Sequence, residues 1–300
     1  MSAAFALADW GSSHLRIWLC DGEGRVLGER RSADGMLAAG GRFAAVLEAH
    51  LEAFGAAGAL PVFACGMVGA RQGWVEAPYV AVPATLDAVF GAARRVEGVS
   101  RPVLILPGLS QAEPADVMRG EETQLAGLQA EPGSCTVCLP GTHSKWAEMK
   151  EGRITRFASV PTGELFAVLG QHSILRHSLG TDDTAVDPGA PAFRQACADA
   201  LSDGDAIARL FGIRAASLLH GLEARDAAAR LSGLLIGAEL FAMRRRFTAE
   251  PVVLLASGAM ARLYRSAFEV AGIAIREADA DAAVRRGLVE AARHHRELWI

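Results

Sequence analysis

The chain has 300 residues, 51% of them hydrophobic and 21% charged, with a formal net charge of −4. That is enough apolar material for one large or two medium domains, and the slight negative charge offers no electrostatic draw toward nucleic acid or anionic lipid. No apolar run is long enough to span a membrane and the N-terminus lacks a signal-peptide pattern, so a cytoplasmic protein acting on small molecules is expected.

An opening apolar run ends at Asp9-Trp10, and the turn Gly11-Ser12-Ser13 follows. A second run containing Arg16, a Glu23-Gly24 turn and a third run complete a pattern of strand, tight turn, strand, turn, strand. Residues 137–154 repeat it, with the turn Gly141-Thr142-His143, Lys145 in the second run, and a Glu151-Gly152 turn. Glycine lets a ligand approach the main chain, and the amides and hydroxyls of such turns attract anions. The pair predicts a polyphosphate site in which Gly11, Ser12, Ser13, Gly141, Thr142 and His143 surround the phosphates and Arg16 and Lys145 add positive charge. Asp9 would orient the waters of a magnesium ion. Two unrelated solvent-facing hairpins would leave the same pattern.

Residues 40–57 carry Phe43, Val46, Leu47, Leu51 and Phe54 at helical spacing, and residues 60–65 read as a buried strand, an α/β arrangement. Residues 66–79 form an irregular loop with three glycines. In that loop Arg71 could pair with a carboxylate, Gln72 and Glu76 could bond hydroxyls, and Trp74 could form a flat wall, a set suited to a polyhydroxy acid. A surface loop whose tryptophan covers the core is the other reading. A short helix is expected over 83–93 and a strand over 103–106, followed by a long loop that enters a helix at Gly120. Glu121 and Glu122 fall in its first turn, where a carboxylate either complements the helix dipole or takes a proton from a hydroxyl.

After the second hairpin set, Thr162 reads as a helix N-cap. A loop over 181–191 precedes helices over 192–201, 206–219 and 225–247. A buried strand over 251–256 leads through Ser257-Gly258-Ala259 into a helix, a small-residue turn that lets a flat ligand or phosphate come close. A short strand over 273–275 and a helix over 280–298 follow, with His294 and His295 expected to face water. The scattered Cys20, Cys65, Cys135, Cys138 and Cys197 read as buried small hydrophobes rather than as a disulfide framework or zinc site.

With these pieces placed, the chain resembles the sugar kinase, hexokinase and actin superfamily. Residues 9–16 resemble its first phosphate motif, 120–124 its first connecting helix, 141–145 its second phosphate motif and 255–259 its adenosine motif. The chain is more closely similar to the 2-dehydro-3-deoxygalactonokinase family, through residues 66–79, 107–124, 139–146, 160–166 and 231–239. The resemblance implies an α/β protein of two ribonuclease H-like domains, the actin/hexokinase-type ATPase fold, facing across a nucleotide cleft. The expected division is residues 1–125 and 126–300, with the closing helix 280–298 allowed to pack back on the first domain.

It further implies transfer of the ATP γ-phosphoryl group, with Mg2+, to the 6-hydroxyl of 2-dehydro-3-deoxy-D-galactonate in galactonate catabolism. The partners would be the sugar acid and ATP, without nucleic acid or membrane, and a homodimer fits the reading. Glu122, with Glu121 as alternate, would accept the hydroxyl proton; Arg71, Gln72, Trp74 and Glu76 would bind the sugar acid, and Ser257, Gly258 and Ala259 the adenosine. Pro140 stands where many superfamily members place an acidic residue, a departure that puts one expected magnesium contact in question. Rival readings are a kinase for a related 2-keto-3-deoxy acid, an exopolyphosphatase-type phosphohydrolase suggested by Gly120-Glu121-Glu122, and a sugar-responsive regulator of the same fold.

Overall fold

A computed structural model describes residues 2–56, 59–128, 133–180 and 186–299. The chain divides into two units, the first made of Met1–Glu131, Glu151–Arg156 and Ala280–Ile300 and the second of Pro132–Lys150 and Phe157–Asp279.

The first unit opens with β1 (Phe5–Trp10), β2 (Leu15–Cys20) and β3 (Val26–Ser32), an antiparallel meander where the glycine turns predicted one. Helices α1 (Met36–Ala39) and α2 (Phe43–Glu52) lead to β4 (Val62–Cys65), parallel to β1. Next come β5 (Tyr79–Ala81), β6 (Ala84–Thr85), α3 (Leu86–Gly91), β7 (Arg94–Arg95) and β8 (Val103–Ile105), the last parallel to β4. The sheet order is β3-β2-β1-β4-β8-β7. Because strand side chains alternate, Ala6, Ala8 and Trp10 share a core with Phe43, Leu47 and Leu51 of α2, and Asp9 points to the opposite face. Residues 107–118, expected as loop, instead form β9 (Gly108–Gln111) and β10 (Asp116–Met118), which join β5 in a separate three-stranded sheet. One buried pair, Leu109 opposite Met118, is too short a signal for periodicity to register. Helix α4 (Glu121–Ala126) follows.

The second unit repeats the plan. Strands β11 (Ser134–Leu139) and β12 (Ser144–Lys150) are antiparallel, and β13 (Arg153–Val160) follows a two-residue turn in which Glu151 and Gly152 have φ of 50° and 74°. That left-handed pair matches the twist of a tight hairpin. Residues 157–160 of β13 belong to this unit, whereas Arg153 and Ile154 pair with Thr85 and Ala84 in the first. Helices α5 (Thr162–His172), α6 (Arg176–Leu179), α7 (Pro191–Asp203), α8 (Ala206–His220) and α9 (Ala224–Met243) precede β14 (Val252–Leu255), α10 (Gly258–Ala271) and β15 (Ile275–Ala278). Part of the expected 181–191 loop, residues 181–185, lies outside the described residues. The order β15-β14-β11-β12-β13, with β14 and β15 parallel to β11, matches β8-β4-β1-β2-β3 of the first unit. Both units thus have the ribonuclease H-like order: an antiparallel meander extended by two parallel strands.

Helix α11 (Ala280–His294) belongs to the first unit and packs on α4 through glycines. A Cβ on Gly287 would lie 1.9 Å from the Thr123 carbonyl oxygen, one on Gly127 would lie 1.8 Å from that of Ala283, and Arg286 Nε donates to the Gly127 oxygen at 2.7 Å. Two expectations are corrected here. His294 and His295 do not simply face water, because His295 Nε2 lies 3.0 Å from the Phe90 oxygen and His294 Nδ1 lies 3.2 Å from Asp87 Oδ1. Thr162 is the first residue of α5 rather than its cap, a position held by Pro161. The five cysteines are buried free thiols, and among the described residues no helix is long and apolar enough to cross a membrane.

Candidate functional site

In the first unit the turn after β1 is fixed from behind. Gly11 N–H donates to the His14 oxygen at 3.0 Å, while Met36 and Leu37 amides take the Gly11 and Ser12 carbonyls at 2.9 and 3.1 Å. A Cβ on Gly35 would lie 2.4 Å from the Ser13 carbonyl carbon, so only glycine allows this seating. Ser12 is half-buried and Ser13 exposed.

Asp9 and Arg16 sit opposite each other across β1 and β2, and Arg16 donates through Nε and Nη2 to Asp9 Oδ2 at 3.1 and 2.5 Å. Its remaining nitrogen, Nη1, pairs with Asp281 at the start of α11. Burial disfavours the Arg16 charge, yet Asp9 and Asp281 together hold its pKa above the ordinary arginine value. The positive charge expected to face phosphate is thus shared between two carboxylates.

Three chain segments converge beside Asp9. Gly66, with φ of 92°, ends β4; a Cβ there would lie 2.9 Å from the Trp10 oxygen and 3.6 Å from Asp9 Oδ1. Gly120, with φ of 107°, enters α4 so close that its own Cβ would be 3.4 Å from Gly66 Cα. Glu122 follows at 1% exposure, its Oε2 accepting the Gly120 N–H at 2.6 Å and its Oε1 the Thr123 hydroxyl at 2.8 Å. Burial first, and then the Glu121 charge, push its carboxyl up to about 7. The neighbouring Cys65 thiol is raised by burial and further by the charges of Asp9 and Glu122. Glu121 is less buried, and its Oε2 accepts the Arg119 amide at 3.0 Å.

The 66–79 loop is better ordered than its composition suggests. Residues Met67–Gly69 form a 3-10 turn, and the Trp74 and Ala77 amides bond back to the Val68 and Gly69 oxygens at 2.8 and 3.0 Å. Trp74 stacks on Phe43 with ring centres 6.0 Å apart and meets Trp10 edge-on at 6.1 Å, so its body covers the core. Arg71, Gln72 and Glu76 are exposed and, among the described residues, take no part in the hydrogen bonds of the Asp9, Gly66 and Glu122 cluster. The sequence reading missed Arg119, whose guanidinium lies 4.4 Å from the Tyr79 ring centre and donates to the Ala77 oxygen at 2.9 Å. Its Nε and Nη1 are buried without a hydrogen-bond partner among the described residues. Its place directly before Gly120-Glu121-Glu122 was the available signal.

In the second unit a cavity of about 450 Å³ is walled by Gly141, Thr142, Gly163, Ile236, Ala259 and Tyr264, among others. It brings part of the expected second phosphate turn together with part of the expected adenosine turn. Gly163 makes this possible, since a Cβ there would lie 2.5 Å from the Gly141 oxygen, and the Glu164 amide donates to the Thr142 oxygen at 2.9 Å. His143 Nε2 lies 2.9 Å from Glu164 Oε2. Lys145 is 5% exposed, with Nζ 3.5 Å from the His143 oxygen. Ser257, in extended conformation, caps α10, and Gly258 follows with φ of 62°.

Comparison with known proteins gives a consistent picture. The family model described as 2-keto-3-deoxy-galactonokinase matches residues 9–291. The chain is 46% identical over 297 residues to a probable 2-dehydro-3-deoxygalactonokinase of Rhizobium meliloti (strain 1021), covering 96% of each. It is 34% identical over 221 residues to the 2-dehydro-3-deoxygalactonokinase of Escherichia coli (strain K12), covering 73% of each. The crystal structure of a candidate 2-dehydro-3-deoxygalactonokinase from Sinorhizobium meliloti superposes with a TM-score of 0.92 at 44% identity, over 96% of this chain and 98% of that one. The activator of the 2-hydroxyisocaproyl-CoA dehydratase from Clostridium difficile, solved with ADPNP, shares the fold alone: TM-score 0.52 at 12% identity, over 98% of this chain and 97% of that one.

Proposed function

The chain belongs to the 2-keto-3-deoxy-galactonokinase family of phosphotransferases, and from that premise we propose that it transfers the γ-phosphoryl group of ATP to the 6-hydroxyl of 2-dehydro-3-deoxy-D-galactonate. The observation that carries this reading is the family match over residues 9–291. The 450 Å³ cavity supports it, since main chain bearing only the small residues Gly141, Gly163 and Ala259 suits the close approach of a nucleotide. The reading places the enzyme in the cytoplasm, in galactonate catabolism, and leaves a homodimer to be tested by sedimentation.

The residues fit MgATP. Asp9 supplies the hard oxygen donor that magnesium takes. Among the described residues no group of three or more metal-ligating side chains gathers, so the ion would draw the rest of its shell from phosphate and water. When bound, magnesium would offset negative charge on the transferring phosphoryl group. Gly11, Ser12 and Ser13, with Gly141, Thr142 and His143, bind the phosphates through amides and hydroxyls, and Lys145 adds positive charge beside the second turn. Arg16 holds Asp9 in place and lends the remainder of its charge. Ser257, Gly258 and Ala259 border the adenosine.

Arg71, Gln72 and Glu76 bond the sugar acid against the exposed part of Trp74. Glu122, with Glu121 as alternate, takes the proton from the 6-hydroxyl; a carboxyl pushed up to about 7 is poised for that transfer near neutral pH.

The test is an ADP-release assay against a panel of 2-keto-3-deoxy acids, with the phosphorylated position of the product identified. ADP release dependent on 2-dehydro-3-deoxy-D-galactonate, with phosphate on its sixth carbon, is expected. Preference for another acid would move the substrate assignment; phosphate release from polyphosphate with no acid required would replace the kinase reading.

A further inference from the structure

The cavity of the second unit is held from behind by one carboxylate. Glu239, on α9, is 2% exposed. Its Oε1 accepts the Trp146 Nε1–H at 2.8 Å, and its Oε2 accepts the Tyr264 hydroxyl at 2.6 Å and the Thr162 hydroxyl. Ser144 Oγ lies 2.9 Å from the Tyr264 oxygen. Since Tyr264 gives its one proton to Glu239, Ser144 is the donor to the phenol oxygen. Burial pushes the Glu239 carboxyl up, and these donors oppose the shift. The bonded partners are neutral, so oriented dipoles offset the charge, and a buried network of this kind is costly to leave half-satisfied.

The donors belong to three elements, and each continues into a wall of the cavity. Ser144 and Trp146 lie in β12, directly after the 141–143 turn. Thr162 opens α5 and precedes Gly163 and Glu164, which press on and bond to Gly141 and Thr142. Tyr264 lies on α10, the helix entered through Ser257-Gly258-Ala259. Thr162 and Tyr264 line the cavity themselves.

We propose that Glu239 is a positioning residue for nucleotide binding. It locks the 141–143 and 257–259 turns into one arrangement and so sets affinity for the nucleotide, with no part in holding the sugar acid. The proposal rests on the kinase reading for the identity of the ligand.

The full chain is compared with Glu239→Gln, Thr162→Val and Tyr264→Phe. The readouts are ADP affinity by calorimetric titration and the separate KM values for ATP and sugar acid. Hydrogen bonds to a charged group are worth enough that Glu239→Gln is expected to weaken ADP roughly tenfold or more and to raise KM for ATP in step. KM for the acid should stay within about twofold, a split that general loosening of the fold would not give. Thr162→Val and Tyr264→Phe, each lacking one donor, should act in the same direction by less. They carry the comparison alone if Glu239→Gln does not fold. A parallel rise in both KM values, or unchanged ADP affinity in every variant, overturns the proposal. If the unaltered chain binds ADP but phosphorylates none of the acids, the kinase reading fails and the titration still decides the role of Glu239. If it binds no nucleotide, both are overturned.

Discussion

Glu122 combines burial with a raised carboxyl, and two measurable consequences follow. As the base it must be unprotonated, so kcat is predicted to fall as pH drops below about 7, and Glu122→Gln should lose about 10²- to 10⁴-fold in rate together with that acid limb. Should Glu121→Gln remove the limb while Glu122→Gln keeps it, the alternate base is the correct one. The second consequence concerns stability. A carboxyl raised from its ordinary 4.5 to about 7 binds its proton more tightly in the folded chain, so its stabilising contribution is complete below 4.5 and is lost as pH rises through about 7. The loss amounts to about 3 kcal/mol, and denaturant titrations should show Glu122→Gln gaining on the unaltered chain across that window. Asp9, Glu121 and Glu122 were legible because they adjoin glycine turns. Glu239 was not: it closes the family-like stretch 231–239, but a lone glutamate in a long helix does not show which donors it meets. The signal was there in its spacing: Ser232, Leu235, Ile236, Glu239 and Met243 recur at helical intervals and are all buried.

Among the elements, the two meanders were readable because each needs glycine at its turns and apolar residues between them. The β9 and β10 pair was not, because its stability comes from pairing with β5 rather than from a pattern of its own. Close glycine contacts are likewise invisible until partners are known, and two of them separate function from stability. Gly163→Ala sets a methyl group 2.5 Å from a carbonyl oxygen of the 141–143 turn, which cannot yield as a side chain would. It is predicted to raise KM for ATP while leaving KM for the acid nearly unchanged, read by steady-state kinetics. Gly287→Ala instead drives α11 off α4, and overpacking of this kind costs about 1–3 kcal/mol or more. A lowered midpoint in thermal or denaturant unfolding checks it; an unchanged midpoint would show that the two helices separate freely.

At the scale of the whole molecule, one strand order is used twice, yet the two units are unequal in how the chain supplies them. The second is interrupted only by the short stretch 151–156, whereas the first waits for residues 280–300. In α11, Ala283, Val284, Leu288, Ala291 and Ala292 are buried, and the helix lies against β1 and α4. Removing residues 280–300 is therefore predicted to leave residues 1–128 open to protease while residues 133–279 resist; equal resistance of both would sink the assignment.

The late return of α11 also orders events during synthesis. A ribosome releases material for the second unit before it releases the helix that seals the first. The half begun earliest is then completed only after the other, and until residues 280–300 have emerged its apolar sheet surface around Leu7 is open to any chaperone that binds nascent chains.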